Sequence, residues 1–211
     1  MNRKDRDAGR PGPCRYDGAM EHLPDEHLMT ASVKGSPDGF DEIVRRYTPR
    51  LLGFISGGVP TRQDAEDIVQ ETFLRAYRNR DRFDPRQSLK CWLFTIAHRC
   101  RISFLRRRRA PITALSGADV AGSPLDEIIQ RQEAASLWQK ARRLPESQFT
   151  ALWLRYQEDL DVGQIARVMA KSNVHVRVLL HRARQTLAAA MQADDHDTDG
   201  SDASLQIGNA F

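Results

Sequence analysis

Residues 144–187 read LPESQFTALWLRYQEDLDVGQIARVMAKSNVHVRVLLHRARQTL, and their spacing predicts a supporting helix followed by a helix-turn-helix. Small Ala166 falls where the last two helices cross, while Val162, Ile165, Met169 and Val176 supply apolar contacts at helical spacing. Ala170 to Asn173 make a short polar turn. The helix after it carries Arg177, His181, Arg182 and Arg184 and reaches apolar Leu187. A helix in the major groove needs such a face, with cations for phosphates and protruding side chains for base edges. An ordinary helical hairpin with a solvated basic face carries the same local pattern, so the rest of the chain has to decide between them.

Outside this stretch, 211 residues leave room for one large or two small domains. A hydrophobic content of 40% suffices for packed cores, and 28% charged residues with few aromatics favour a helical, soluble protein. The net charge is only +4, but six arginines fall within 99–109 and five aspartates crowd 194–202. That asymmetry predicts a basic binding surface and a solvated acidic end. No apolar run approaches a membrane span, and the N-terminus MNRKDRDAGRPGPCR lacks a signal-peptide core, so no membrane insertion and a cytoplasmic location are expected. Cys14, Cys91 and Cys100 are too few and too widely spaced for a disulfide framework or a zinc cage. Neither a metal, a cofactor nor a catalytic residue set is expected, which predicts a non-enzymatic protein.

The predicted fold is all-α, with two small helical domains joined by a flexible linker. Residues 1–22 are rich in Gly, Pro and charge and are expected to be disordered; the first domain spans 23–109. A helix over 25–34 should break at Gly35-Ser36-Pro37, and a second over 38–56 should bend at Pro49. Thr61 caps a third helix, in which Ala65, Ile68, Val69, Thr72, Phe73, Ala76 and Tyr77 follow one face. The opposite face carries Asp64, Asp67, Gln70 and Glu71. Such a face is usually only solvated, but in a basic protein it also suits docking on a positively charged partner.

After the loop at 80–88, Ser88 can cap a fourth helix whose stripe is Leu89, Trp92, Leu93, Ile96, Cys100 and Phe104. Its other faces are expected to show Lys90, Phe94, His98, Arg99 and Arg101, leading to Arg106, Arg107, Arg108 and Arg109. Cations interleaved with aromatics suit single-stranded nucleic acid, in which unstacked bases meet rings.

The segments DAEDIVQETFLRAYR (64–78) and FDPRQSLKCWLFTIAHRCRISFLRRRR (83–109) resemble the promoter-melting domain of bacterial RNA polymerase sigma factors. The similarity is greatest to the extracytoplasmic-function (ECF) subfamily. DEHLMTASVKGSPDGFDEIVRRY (25–47) fits the opening helices of that family, and the stretch from Leu144 to Leu187 resembles its promoter-upstream reading domain. The resemblance implies an initiation subunit that binds core RNA polymerase and promoter DNA. Asp64, Glu66, Asp67, Gln70 and Glu71 would dock on the polymerase. Phe83, Asp84, Ser88, Lys90, Phe94, His98, Arg99 and Arg101 would open the −10 element, with Arg106, Arg107, Arg108 and Arg109 on the backbone. Ser172, Asn173, His175, Arg177, Val178, His181, Arg182 and Arg184 would enter the −35 element. An anti-sigma factor is a further implied partner.

Six positions depart from the family pattern. Arg99 stands for a usual Asn, Ser103 for Asp, Gln164 for Glu, His175 for Thr and Ala170 for a Gly at the turn. Leu179 replaces a common Arg, which would remove a cation from the reading helix. The linker, 110–136, should start a helix near Ser123-Pro124, and the second domain spans 137–191. Residues 192–211 are expected to be an acidic, disordered tail. A free-standing helix-turn-helix regulator is the alternative function; it would have no use for the acidic 62–78 helix beside an arginine-rich one.

Overall fold

The computed structural model describes residues 20–109 and 137–199, which are helical apart from turns and short connections. The first unit is α1 (Asp25–Val33), α2 (Pro37–Ser56), α3 (Arg62–Arg78) and α4 (Leu89–Arg109), with a 3-10 turn at Arg80–Arg82 between the last two. The second is a helical turn at 137–141, then α5 (Glu146–Tyr156), α6 (Val162–Met169) and α7 (Asn173–Asp199). The expected disorder of 1–19 and 200–211, and the linker 110–136 with its helix start near Ser123, lie outside the described residues.

Local chemistry sets the boundaries. Gly35, at φ +96°, ends α1 in the left-handed region, with Gly35 N–H on Ser32 O and Ser36 N–H on Ala31 O. Pro37 then opens α2, where its missing N–H costs nothing, and the helix runs on past Pro49. Thr61 Oγ1 accepts from Asp64 N–H at 3.0 Å, as the cap pattern predicted. Two expected limits are corrected. Residues 20–22 are not free, because Arg46 donates to the carbonyls of Met20 and Glu21. At the other end α7 continues to Asp199 rather than stopping at 191, in keeping with the helix-forming run LAAAMQA at 187–193.

The core of the first unit is built from Ile43, Tyr47, Leu51 and Phe54 of α2, Ala65 and Ala76 of α3, and Leu89, Leu93, Phe94 and Ala97 of α4, all buried. Glu42 is buried among them and accepts from Arg45 and Arg46 at 2.6–2.8 Å. The Arg45 hydrogen bond, reinforced by Arg46 against the cost of burial, holds its carboxyl down to about 2. A carboxyl lowered in the folded state contributes stability that is complete above its unfolded value near 4.5 and is lost as pH falls through about 2. Urea titrations of wild type should therefore weaken across that window, and Glu42→Gln should flatten this part of the curve. Equal slopes for the two proteins would show that the Glu42 cluster is not the acid-sensitive element.

In the second unit, Phe149, Leu152, Leu154, Ile165, Val168, Val176, Leu180 and Ala183 are buried. Asp161 caps α6 through Gln164 N–H at 2.8 Å, and Gln164 Oε1 accepts from Asp161 N–H at 2.9 Å. Gln164 thus completes a capping box, a task that Gln and Glu perform equally. Ala170 ends α6 at φ 51°, ψ 48°, with Lys171 N–H on Ala166 O at 2.9 Å. An alanine Cβ is strained in this conformation. Ala170→Gly should raise the unfolding free energy by up to about 1 kcal/mol in urea denaturation. No gain would mean the turn carries no such strain.

Candidate nucleic-acid interface

The outer face of α7 is a row of protruding side chains. Ser172, Asn173, His175, Arg177, Val178, His181, Arg182 and Arg184 are all exposed, while Val176, Leu179, Leu180 and Ala183 point inward. Leu179, only 6% exposed, therefore belongs to the core. The expectation that it removes a cation from the reading face is corrected, because its register turns it into the hydrophobic core instead. Ser172 has a local duty as well: its Oγ accepts from His175 N–H at 3.2 Å and caps the helix. Val174, the most exposed large apolar residue here at 67%, stands on the same outer surface and was missed by the sequence reading.

On α3, Asp67 and Gln70 are exposed and Glu66 and Glu71 half-buried, paired with Arg62 and Arg75 along the helix. Asp64 is tied across to Arg108 at 2.8 Å. Leu74 and Tyr77 continue this stripe toward the C-terminus of α3 and are about half exposed, so Tyr77 is not the core residue its spacing suggested. Its ring lies edge-on to Phe40 and beneath the Arg80 guanidinium, 4.0 Å from the centroid. The face is acidic and apolar together, a combination hidden by a one-face helical pattern.

The loop before α4 is shaped by its own side chains. Asp84 Oδ1 accepts from Arg86 N–H at 3.0 Å, Ser88 Oγ receives Cys91 N–H at 3.4 Å, and buried Phe83 packs on Trp92 with centroids 5.4 Å apart. Arg86, Gln87, Ser88, Trp92 and Arg99 line a cavity of about 600 Å³. Its opposite wall is Gln164 and Arg167 of α6.

Further along α4 the structure departs from the expected faces. Phe94 is fully buried, edge-on to Phe54 at 5.2 Å. Arg101 is fully buried as well, donating to Phe54 O at 3.1 Å, to Glu146 Oε1 at 3.3 Å and to Thr150 Oγ1. Burial pulls its guanidinium below the ordinary value, with Glu146 opposing. His98 lies in the same seam; burial pushes its imidazole down to about 4, and Arg101, Lys171 and Arg99 push the same way. Lys90 Nζ donates to Glu158 O at 2.9 Å. Only Arg99, Arg106, Arg107 and Arg108 are exposed on this helix; Arg109 is its last residue, with its side chain outside the described set. The cause is that α4 packs against α3 and α2 of its own unit and also against α6 of the other, so it buries more than one stripe.

A helix-turn-helix with an exposed basic face, joined to a second helical unit with a basic helix, defines a DNA-binding protein. Comparison with known proteins specifies it further. Residues 43–110 match the family Sigma-70 region 2, and residues 134–187 match Sigma-70, region 4. The RNA polymerase sigma-H factor of Pseudomonas aeruginosa is 31% identical over 80% of this chain and 94% of its own length. The ECF RNA polymerase sigma factor SigW of Bacillus subtilis is 29% identical over 73% and 89%. CnrH, solved in complex with the cytosolic domain of CnrY, superposes with a TM-score of 0.60 at 26% identity, covering 81% of this chain and 98% of that one. The chain belongs to the RNA polymerase sigma factors, in the ECF subfamily.

Proposed function

We propose that this sigma factor engages core RNA polymerase through α3, opens the −10 element with the 83–88 loop and α4, and reads the −35 element with α7. The single observation that carries the reading is the exposed face of α7, held on a strained but complete helix-turn-helix and matched in one chain with the region 2 helices. The docking surface is Asp64, Glu66, Asp67, Gln70 and Glu71, extended by Leu74 and Tyr77. In the −10 region, extruding a base costs a few kcal/mol of stacking, recovered in a pocket with aromatic and polar walls. Trp92, Ser88 and Arg99, which line one wall of the cavity beside the 83–88 loop, would supply those walls. Arg106, Arg107, Arg108 and Arg109 hold the phosphate backbone, which positions the strand without reading sequence. On α7, His175, Arg177, Val178 and His181 face base edges, with Ser172, Asn173, Arg182 and Arg184 toward the backbone.

The proposed units are 23–109 and 137–191, acting in the cytoplasm as a non-catalytic subunit. No described helix is long and apolar enough to cross a membrane. CnrH is solved with a bound protein partner, which supports an anti-sigma factor for this chain. The test is run-off transcription with purified core polymerase on a promoter library. Template-specific initiation is expected only with this chain present, and Arg177→Ala should reduce it by roughly tenfold or more if it contacts a base edge. Tight, specific duplex binding without polymerase, and no initiation with it, would favour the free-standing regulator.

A further inference from the structure

Arg99 also lines a second cavity, of about 510 Å³, between α4, the start of α5 and the turn that ends α6. That volume suits a small molecule. Arg99, Ile102, Ser103 and Arg106 recur at helical spacing and form its α4 wall. Ser147 and Lys171 close the other side, and Val168 and Met169 add apolar surface. The charge of the cavity is one-sided. Arg99, Arg106 and Lys171 are exposed, and no side-chain hydrogen bond or ion pair engages any of them among the described residues. The one carboxylate in its lining, Glu146, is already held by buried Arg101 at 3.3 Å. His98, on the same wall, is uncharged at neutral pH, since burial, then Arg101, Lys171 and Arg99, hold it down to about 4. The positive end of α5 and the negative end of α6 both abut the cavity and offset one another, so the side chains set its sign. Two departures from the family pattern fall here, one helical turn apart. Arg99 in place of Asn adds a cation, and Ser103 in place of Asp removes a carboxylate.

We propose that this cavity binds a phosphate monoester carried on a flat apolar body, the chemistry of a nucleoside monophosphate. Two guanidinium forks and an ammonium match a doubly charged phosphate, whose three free oxygens can serve more than one fork. Ile102, Val168 and Met169 give the ring a surface on which it leaves water, and the hydroxyls of Ser103 and Ser147 meet polar atoms between ring and phosphate. A bare anion would leave the apolar surface unused, and an uncharged ring would leave the cations unanswered. The site stands without the sigma reading and touches it at two residues. Arg99 and Arg106 also belong to the proposed −10 surface, so ligand and single strand are alternatives at these cations.

The test is calorimetric titration of the full chain at physiological salt with AMP, phenyl phosphate, inorganic phosphate and adenosine. AMP should bind one to one with a dissociation constant below about 1 mM, and inorganic phosphate and adenosine at least about tenfold more weakly. Phenyl phosphate separates the sources: affinity equal to AMP assigns the site to ring-borne phosphates in general, and weaker affinity assigns it to nucleotides. Ser103→Asp and Lys171→Glu should each weaken AMP at least about tenfold, whereas Arg78→Glu, the same charge change as Lys171→Glu on an exposed part of α3, should not. In chains with labelled methionine methyl groups, AMP should move the Met169 signal and leave core Met29 in place. No saturable AMP binding, equal binding by all variants, an unmoved Met169, or inorganic phosphate or adenosine matching AMP overturns the site. Circular dichroism checks folding, and should Ser103→Asp lose helix, Lys171→Glu on the exposed turn and the Met169 signal still decide. Binding of a labelled, random-sequence single-stranded DNA pool keeps the two ideas apart. If AMP binds at Met169 and leaves strand binding unchanged, the site holds and the −10 role of Arg99 and Arg106 fails.

Discussion

Asp67→Lys combined with Glu71→Lys is expected to remove the chain from core polymerase, lowering holoenzyme formation by about a hundredfold or more, since each like-charge contact at an interface costs several kcal/mol. Asp67 is exposed and one helical turn from Glu71, whose side chain is 39% exposed, so both substitutions act at the surface. Asp64 is the weaker choice, although the sequence offers it equally. Its carboxylate is bonded to Arg108 and stands in the first turn of α3, where a lysine would oppose both the arginine and the helix dipole. Loss of polymerase binding there would be mixed with loss of fold. The measurement is competition for core polymerase, with circular dichroism as the control for folding. Unchanged competition by the folded double variant would show that α3 is not the docking face.

Phe54→Ala should have the largest effect on stability. The ring is fully buried, lies edge-on to Phe94 at 5.2 Å, and carries the Arg101 guanidinium 4.7 Å above its centroid. Removing it leaves a cavity between α2 and α4 and strips a buried cation of its aromatic partner. Truncations of buried phenylalanine cost about 3–5 kcal/mol. For a chain of this size that corresponds to a drop in Tm of roughly 6–20 °C. Thermal and urea unfolding followed by circular dichroism measure it. A loss under about 1 kcal/mol would mean the surrounding helices collapse to fill the space.

Much of this could be read from local sequence. The break at Gly35, the cap at Thr61 and the short turn of the helix-turn-helix depend on residues close to one another in the chain, and they appear where expected. The inward row of α3 was legible for the same reason, except at its last turn. Tyr77 is half exposed, with its ring between Phe40 and the Arg80 guanidinium from beyond the helix end. The strain at Ala170 was also legible, since a turn that prefers glycine is a property of the backbone. On α7 the exposed basic row was visible, but the inward register of Leu179 was not, because a leucine on a reading helix gives no local sign of which face it occupies.

The sequence by itself determined the helices, most of their limits and the all-α class, because hydrophobic period and capping chemistry act over a few residues, while the two sigma modules were legible through their resemblance to a known family. The tertiary structure alone decided the fate of α4. Periodicity assigns one buried stripe, and α4 packs against helices of both units. Phe94, His98 and Arg101 move from an expected outer face into a seam because their partners are supplied from far along the chain: Arg101 reaches Glu146, 45 residues away, and Arg50 reaches Glu158, 108 residues away. A buried ion pair is set by which surfaces meet, and no local pattern in either partner records that meeting.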